Sequence, residues 1–446
     1  MRIQNILRGV LFSVLCVHTV VFAQETRELT LDNGMKVIVR QDSRSPVVVH
    51  MIWYRVGSMD EASGTTGVAH ALEHMMFKGT RKYGQGEFSK IVALYGGRDN
   101  AFTGQDYTAY FQQIPAQQLE RMMELEADRM KNLLLTREDF EKEIRVVMEE
   151  RRWRTDDQPF ALLSEAVSAS AFMAHPYRWP VIGWMNDLEN MTVEDLENWY
   201  GRWYAPNNAT MVVVGDVRAE SVFLLAKKHF GRISAGKLQP TRPQTEPKQQ
   251  GTRRVTVKAP AENPMILIAF KAPSLIDVEN DSDVYALSVL AAVLDGYDNA
   301  RLSARLVREN SIASDVSAYY DPLSRGPSLF VLAATPLGRT TLSVLEERMR
   351  AEISRIAKEG VSPEELERIK MQILSSQIYK RDSLRGQAME IGVLEMLGIG
   401  YQQMDRLIEK LKAVSSDDVK SVAQRYFDDD QMTVGILDPL PPDAAE

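Results

Sequence analysis

The two halves of this 446-residue chain end alike, and that repeat limits the folds open to it. Thr192-Val193-Glu194-Asp195-Leu196 opens a helix that runs to Trp203-Tyr204 and leads into an apolar strand at 209–214. Ser416-Asp417-Asp418-Val419 opens a second helix that runs to Tyr426-Phe427, followed by a strand at 432–437. The stretches superpose at one constant offset with no gap. Two copies of one α+β unit are the simplest explanation. Between them, residues 234–254 hold Pro240, Pro243 and Pro247 and almost nothing apolar, the composition of a linker. The expected division is a first domain at 24–233, a linker at 234–254 and a second domain at 255–446.

Hydrophobic period and turn signals give the first unit a mixed character. Strands are expected around 29–31, 36–40 and 47–56, with Asp32-Asn33-Gly34 turning between the first two. Helices are expected around 66–77 and 87–95, then a hairpin that ends at Gln113. Two long helices follow, at about 116–134 and 136–155, the second capped by Thr136 with Asp139. This order predicts an α+β fold: two homologous domains, each an antiparallel-rich sheet with helices packed on one face.

Residues 1–23 are excluded from the fold. Arg2 and Arg8 precede an apolar run to Ala23, and Val21-Phe22-Ala23 offers a cleavage site, so the segment reads as a secretory signal peptide. An uncleaved membrane anchor is the alternative. Cys16, the only cysteine, lies within this segment, so a metal site in the mature chain must use His and carboxylates. Arg2 and Arg8 are its only charges, so its loss moves the net charge from −8 to −10. An acidic chain with no basic block is a poor nucleic-acid binder. No later apolar run approaches the length of a membrane span.

His70-Ala71-Leu72-Glu73-His74 carries the chemistry. Histidines four apart share one side of a helix, so both rings reach one metal ion, and Glu73 stands where it can take a proton from water. The H-x-x-E-H order is that of an inverted zinc-peptidase motif. A third ligand is required. In the helix that begins near Thr136, positions 140, 143, 147 and 150 form one stripe, and Phe140 and Val147 mark it as core-facing. Glu143 and Glu150 share the stripe, which is costly unless something positive meets them. Pairing with Arg151 or Arg154 is the bland reading; completing the histidine site is the functional one. His50 reads as a packed core residue, His175 as structural, and His229 as a cation at a helix C-terminus.

With these residues in place, the chain resembles the pitrilysin-type (inverzincin, M16) zinc metallopeptidases, in particular the mitochondrial-processing-peptidase-like group. His74 to Glu150 has the family's spacing, and Glu143 matches a second family glutamate two helical turns earlier. The run His74 to Thr80, the stretch Asn100-Ala101-Phe102-Thr103, and His175-Pro176-Tyr177 leading to Gly183 look like family signatures. The resemblance covers the whole mature chain. It implies that His70, His74 and Glu150 bind one Zn²⁺ per chain, that Glu73 is the general base, and that Glu143 holds a histidine ring. It also implies that Asn100, Ala101, Phe102 and Thr103 lie on an edge strand that binds peptide substrates. The second domain, which has no histidine, resembles the family's inactive domain.

One departure stands out. Active members use an Arg and a Tyr seven residues apart from an inactive-type domain. Arg308 fits the arginine, but the tyrosine position falls on Asp315, or on Ser314 if the loop is one residue shorter. Neither side chain replaces a phenol that donates to a developing oxyanion. The expectation is therefore a periplasmic zinc endopeptidase that forms a heterodimer with a homologous subunit lacking H-x-x-E-H but carrying the Arg/Tyr pair. The alternative is a catalytically silent subunit that binds peptides or scaffolds a complex.

Overall fold

The computed structural model describes residues 25–238 and 244–441. The expected signal peptide and the middle of the expected linker lie outside the described residues. The first half contains β1 (Thr26–Thr30), β2 (Lys36–Gln41), β3 (Val47–Tyr54), β4 (Arg98–Thr103), β5 (Thr108–Pro115) and β6 (Ala209–Gly215). Its helices are α1 (Val68–Met75), α2 (Glu87–Leu94), α3 (Leu119–Asn132), α4 (Arg137–Arg151), α5 (Pro159–Ala171), α6 (Met185–Asn190), α7 (Val193–Trp203) and α8 (Ala219–Phe230). The second half contains β7 (Arg253–Pro260), β8 (Met265–Ala272), β9 (Ala313–Tyr320), β10 (Ser328–Pro336) and β11 (Met432–Leu440). Its helices are α9 (Ser282–Asp295), α10 (Leu342–Glu359), α11 (Pro363–Asp382), α12 (Leu384–Leu397), α13 (Met404–Ala413) and α14 (Ser416–Arg425).

The repeat is visible in the sheets. The first runs β1-β2-β6-β3-β5-β4 and the second β7-β11-β8-β10-β9, so the second matches the first without β1. In both, the last strand of the half is parallel to one neighbour, β2 or β7, and antiparallel to the other, β3 or β8. The helices before those last strands start with the same capping box, Thr192 with Asp195 and Ser415 with Asp418. The second cap is Ser415, one residue earlier than the expected Ser416.

Alternation along the strands explains the layers. In β6, Met211 and Val213 join a core formed with α1, α3 and α7, whereas Val212 and Val214 point to the opposite face. That opposite face is also apolar, through Ile38, Val49, Met51, Trp53 and Phe111, and is covered by Ala388, Ile391 and Leu394 of α12 from the other half. The cover is reciprocal. Leu163 and Val167 of α5 pack on Ala259, Leu267, Ala269 and Leu437 of the second sheet. The helices on one face, expected from the sequence, are present; the exchanged helix on the other face is an addition to that picture. Glycine permits both close approaches. A Cβ on Gly392 of α12 would lie 2.0 Å from the Trp53 indole, and one on Gly435 of β11 would lie 2.3 Å from Val167.

The described part of the expected linker is fastened to both halves. The Glu246 carboxylate accepts from the backbone N–H groups of Met173, Ala174 and His175 and from Lys271 Nζ of β8. Gln249 is buried and donates to the Met432 carbonyl. The last two residues of the 234–254 segment already belong to β7.

Two measurements check this architecture. An exposed helical Gly→Ala change is normally stabilising by about 1 kcal/mol, but Gly392→Ala is expected to destabilise by about 1–3 kcal/mol in chemical denaturation, because the buried indole has nowhere to move. The second concerns pH. Burial pushes Glu246 up, but Lys271 and the three N–H donors outweigh it and hold the carboxyl at about 2. A depressed acid contributes fully above its ordinary value and loses that contribution as pH falls towards the depressed one. Glu246→Gln is therefore expected to cost about 2 kcal/mol at pH 7, with the difference from wild type shrinking between about pH 5 and pH 2.

Candidate active site

The local structure of α1 sets up the site. Its first turn is anchored by the buried Glu61 carboxylate, which accepts from the N–H groups of Gly67 (2.9 Å) and Ala69 (3.0 Å). Gly67 takes φ 88° and leaves no room for a Cβ, which would lie 2.6 Å from the Ile182 carbonyl oxygen. Only Gly tolerates that combination. Helix α1 is shorter than expected, 68–75, yet it keeps His70, Glu73 and His74 on one turn. Helix α4 begins at the expected cap, with the Thr136 side chain accepting from Asp139 N. It buries Phe140, Glu143 and Val147 on one stripe.

That stripe faces the histidines. Glu150 Oε2 lies 3.2 Å from His74 Nε2 and 3.7 Å from His70 Nε2. The three ligand atoms lie within 4.8 Å of one another. Atoms about 2.1 Å from a tetrahedral zinc stand about 3.4 Å apart, so this donor set fits zinc. Two imidazoles and one carboxylate also leave a fourth position open. Glu143 Oε1 meets His74 Nδ1 at 3.0 Å. An ionised carboxylate only accepts, so Nδ1 carries a proton, and in the neutral form of the ring that leaves the Nε2 lone pair for a metal. Glu73 lies alongside, its Oε2 accepting from Thr103 Oγ1 at 2.5 Å.

The cations that meet the two glutamates are both present. Lys78 binds Glu143 Oε2, and Arg154 Nη1 lies 2.9 Å from Glu150 Oε1. The Arg154 pair of the bland reading is present, and each carboxylate divides its two oxygens between a cation and an imidazole. Arg151 instead binds Glu165 and the Gly183 carbonyl. Lys78 is a member of the site that sequence reasoning passed over, although its place four residues after His74 was a usable signal. Glu61 gave no signal at all.

Burial, then the neighbouring His74, pushes the His70 imidazole down to about 3. Burial also lowers His74, but the Glu143 hydrogen bond and the charges of Glu150, Glu143 and Glu73 outweigh it and raise the ring. Burial raises Glu73, and the Thr103 hydroxyl offsets part of that. Glu143 is held down: burial raises it, but hydrogen bonds from His74 and Lys78 prevail.

His70, Glu73, His74 and Glu150 line an open cleft of about 680 Å³. Its walls are α1, the end of α4, and Asn100, Ala101, Phe102 and Thr103 of β4. Strand β4 is the edge of its sheet, so one row of its backbone groups is free of a strand partner. The structure does not bring Arg308 to this cleft. Arg308 is exposed on a π-helical turn, Ser303–Glu309, and donates to the Asp298 carbonyl. Asp315 is exposed on β9, opposite Thr335. His50 is buried against Gln112, and His175 caps the turn at Pro176, as expected.

A sequence profile described as Insulinase (Peptidase family M16) matches residues 36–183, and one described as Peptidase M16 inactive domain matches residues 190–373. The chain is 32% identical over 428 residues to a Helicobacter pylori protein named Zinc protease PqqE, covering 95% of each chain. It is 25% identical to an uncharacterized zinc protease of Bacillus subtilis, YmxG, covering 91% of this chain and 96% of that one. A crystal structure of a protease from Helicobacter pylori superposes with a TM-score of 0.88 at 31% identity, covering 94% of this chain and 100% of that one. The Escherichia coli periplasmic protease PqqL shares the fold, with a TM-score of 0.78 at 20% identity, covering 95% of this chain and 49% of that one.

The Glu143–His74 contact yields a prediction. Partners that orient metal-binding histidines are worth about 10–100-fold in metal affinity. Glu143→Gln is expected to weaken zinc binding by about tenfold, measured by competition with a chromophoric chelator on variant protein shown to be folded by circular dichroism.

Proposed function

The chain belongs to peptidase family M16, and on that premise we propose that it is a zinc-dependent endopeptidase acting on short or unfolded peptides. Within the family we place it with the mitochondrial-processing-peptidase-like group. The observation that carries the reading is the convergence of His70 Nε2, His74 Nε2 and Glu150 Oε2, with Glu73 beside them, in a cleft bordered by a free strand edge. Zinc held there would supply Lewis acidity and lower the pKa of water towards about 7.

The chain's own residues do the rest. Glu73 accepts a proton from water at Oε1, the oxygen that Thr103 leaves free, and passes it to the leaving amine. Thr103 keeps that carboxylate aimed, and Glu143 keeps the His74 ring turned. The edge at Asn100 to Thr103 receives an extended peptide as an added strand. Pairing with a second such chain would enclose the cleft in a chamber that admits short or unfolded peptides and excludes folded proteins.

The Arg/Tyr pair is assigned to a homologous partner subunit, since Arg308 is outside the cleft and Asp315 stands in the tyrosine position. That this chain spans about half of the Escherichia coli neighbour supports a half-enzyme. The signal-peptide reading of residues 1–23 supports a periplasmic location, and that neighbour is described as a periplasmic protease. No helix among the described residues is long and apolar enough to cross a membrane. The missing phenol also favours a second reading, a silent peptide-binding subunit.

Cleavage of an internally quenched peptide library separates the two. With a homologous Arg/Tyr subunit added, chelator-sensitive cleavage is expected, and Glu73→Gln should lower it by about 10²–10⁴-fold with zinc stoichiometry unchanged. Zinc bound at full stoichiometry with no cleavage, with or without the partner, would establish the silent subunit. Full activity of the chain alone would refute the need for a partner.

A further inference from the structure

The two oxygens of the Glu150 carboxylate have different surroundings. Oε2 faces both imidazoles, at 3.2 and 3.7 Å, whereas Oε1 is 2.9 Å from Arg154 Nη1. The Glu150 side chain is 15% exposed and the Arg154 side chain 64%, so the guanidinium reaches in from the solvent side. Arg154 is placed there by a π-helical turn, Arg152–Asp156, that follows α4, with Asp157 N donating to the Arg152 carbonyl five residues back. Such turns shift the helical register and gather at functional sites. Among the described residues that line the cleft, Arg154 is the only Lys or Arg.

An exposed ion pair one helical turn apart ordinarily contributes little. Here the acid is a candidate metal ligand, and what the arginine occupies is the ligand's spare oxygen. A carboxylate with both oxygens free can grip a metal through both and fill a position that a catalytic site keeps open. We infer that Arg154 is a positioning residue that confines Glu150 to binding the metal through Oε2 alone, and so preserves one coordination position for water and substrate. The inference rests on the zinc reading given above.

The test uses Co²⁺ as the probe, on the purified wild-type chain and on Arg154→Ala and Arg154→Lys. Arg154 is largely exposed, so both variants should fold, and thermal midpoints within a few degrees of wild type would establish that. The wild type should take up one equivalent of Co²⁺ with the strong visible absorption of a four-coordinate ion. In Arg154→Ala a second oxygen joins the ion, and the absorption should fall severalfold. Arg154→Lys should keep the wild-type spectrum, because the single Nη1 contact to Oε1 is one that an ammonium can replace. An Ala variant with the wild-type spectrum overturns the positioning role. Failure of the wild type to bind Co²⁺, or binding that persists without His70 and His74, overturns the metal reading on which it rests.

Discussion

Both sheets of this protein are apolar on two faces, and in each sheet one of those faces is covered by a helix of the other half. The structure answers with an exchange: α5 crosses to the second sheet and α12 to the first. Burial of Trp53, Met51 and Val212 under α12, and of Leu267 and Leu437 under α5, contributes on the order of 1.5–3 kcal/mol for each fully buried large side chain. The halves are therefore one cooperative body rather than two beads on a tether. Polar ties add direction to this apolar grip. Arg325 of the second half binds Asp60 of the first at 2.8 Å, and Arg253 donates to the last carbonyls of α5. Glu246 fastens the connecting segment between the two.

The metal-type site depends on that framework at one remove. Helix α1 presents two histidines only because Glu61 and Gly67 anchor its first turn, and α4 presents Glu150 only because Phe140 and Val147 seat it in the core. Three carboxylates crowd a small volume around two imidazoles. Their mutual repulsion is relieved from outside, by Lys78 at Glu143, Arg154 at Glu150 and the Thr103 hydroxyl at Glu73. Each outer partner takes one oxygen and leaves the other to the centre. That division of oxygens lets a buried acidic cluster be both stable and available for coordination.

The same geometry marks what this chain does not bring to the cleft. A cleft that polarises a peptide bond gains from a donor placed at the developing oxyanion. The position expected to supply one holds Asp315, exposed on the edge strand β9, and Arg308 is engaged with a carbonyl of its own loop. The two-chain reading follows from that shortfall rather than from any defect in the metal-ligand set.

Elements whose signals are local were legible from the order of residues alone. The H-x-x-E-H pentad, the Thr136 cap, the core stripe carrying Glu143 and Glu150, and the repeated helix-strand endings all depend on residues within a few turns of one another. Periodicity and capping chemistry read directly from such spacings. That order did not reveal the helix exchange, because a strand buried on both faces looks the same whichever half covers it. Nor did it reveal that 244–254 is fastened down, since the polar residues that suggest a loose linker, Glu246 and Gln249, are the ones that bind. Lys78 and Arg154 were likewise in view, yet which oxygen each would occupy was not. Pairings between groups far apart in the chain are decided by how α1, α4 and β4 meet in space, and only the tertiary structure sets that meeting.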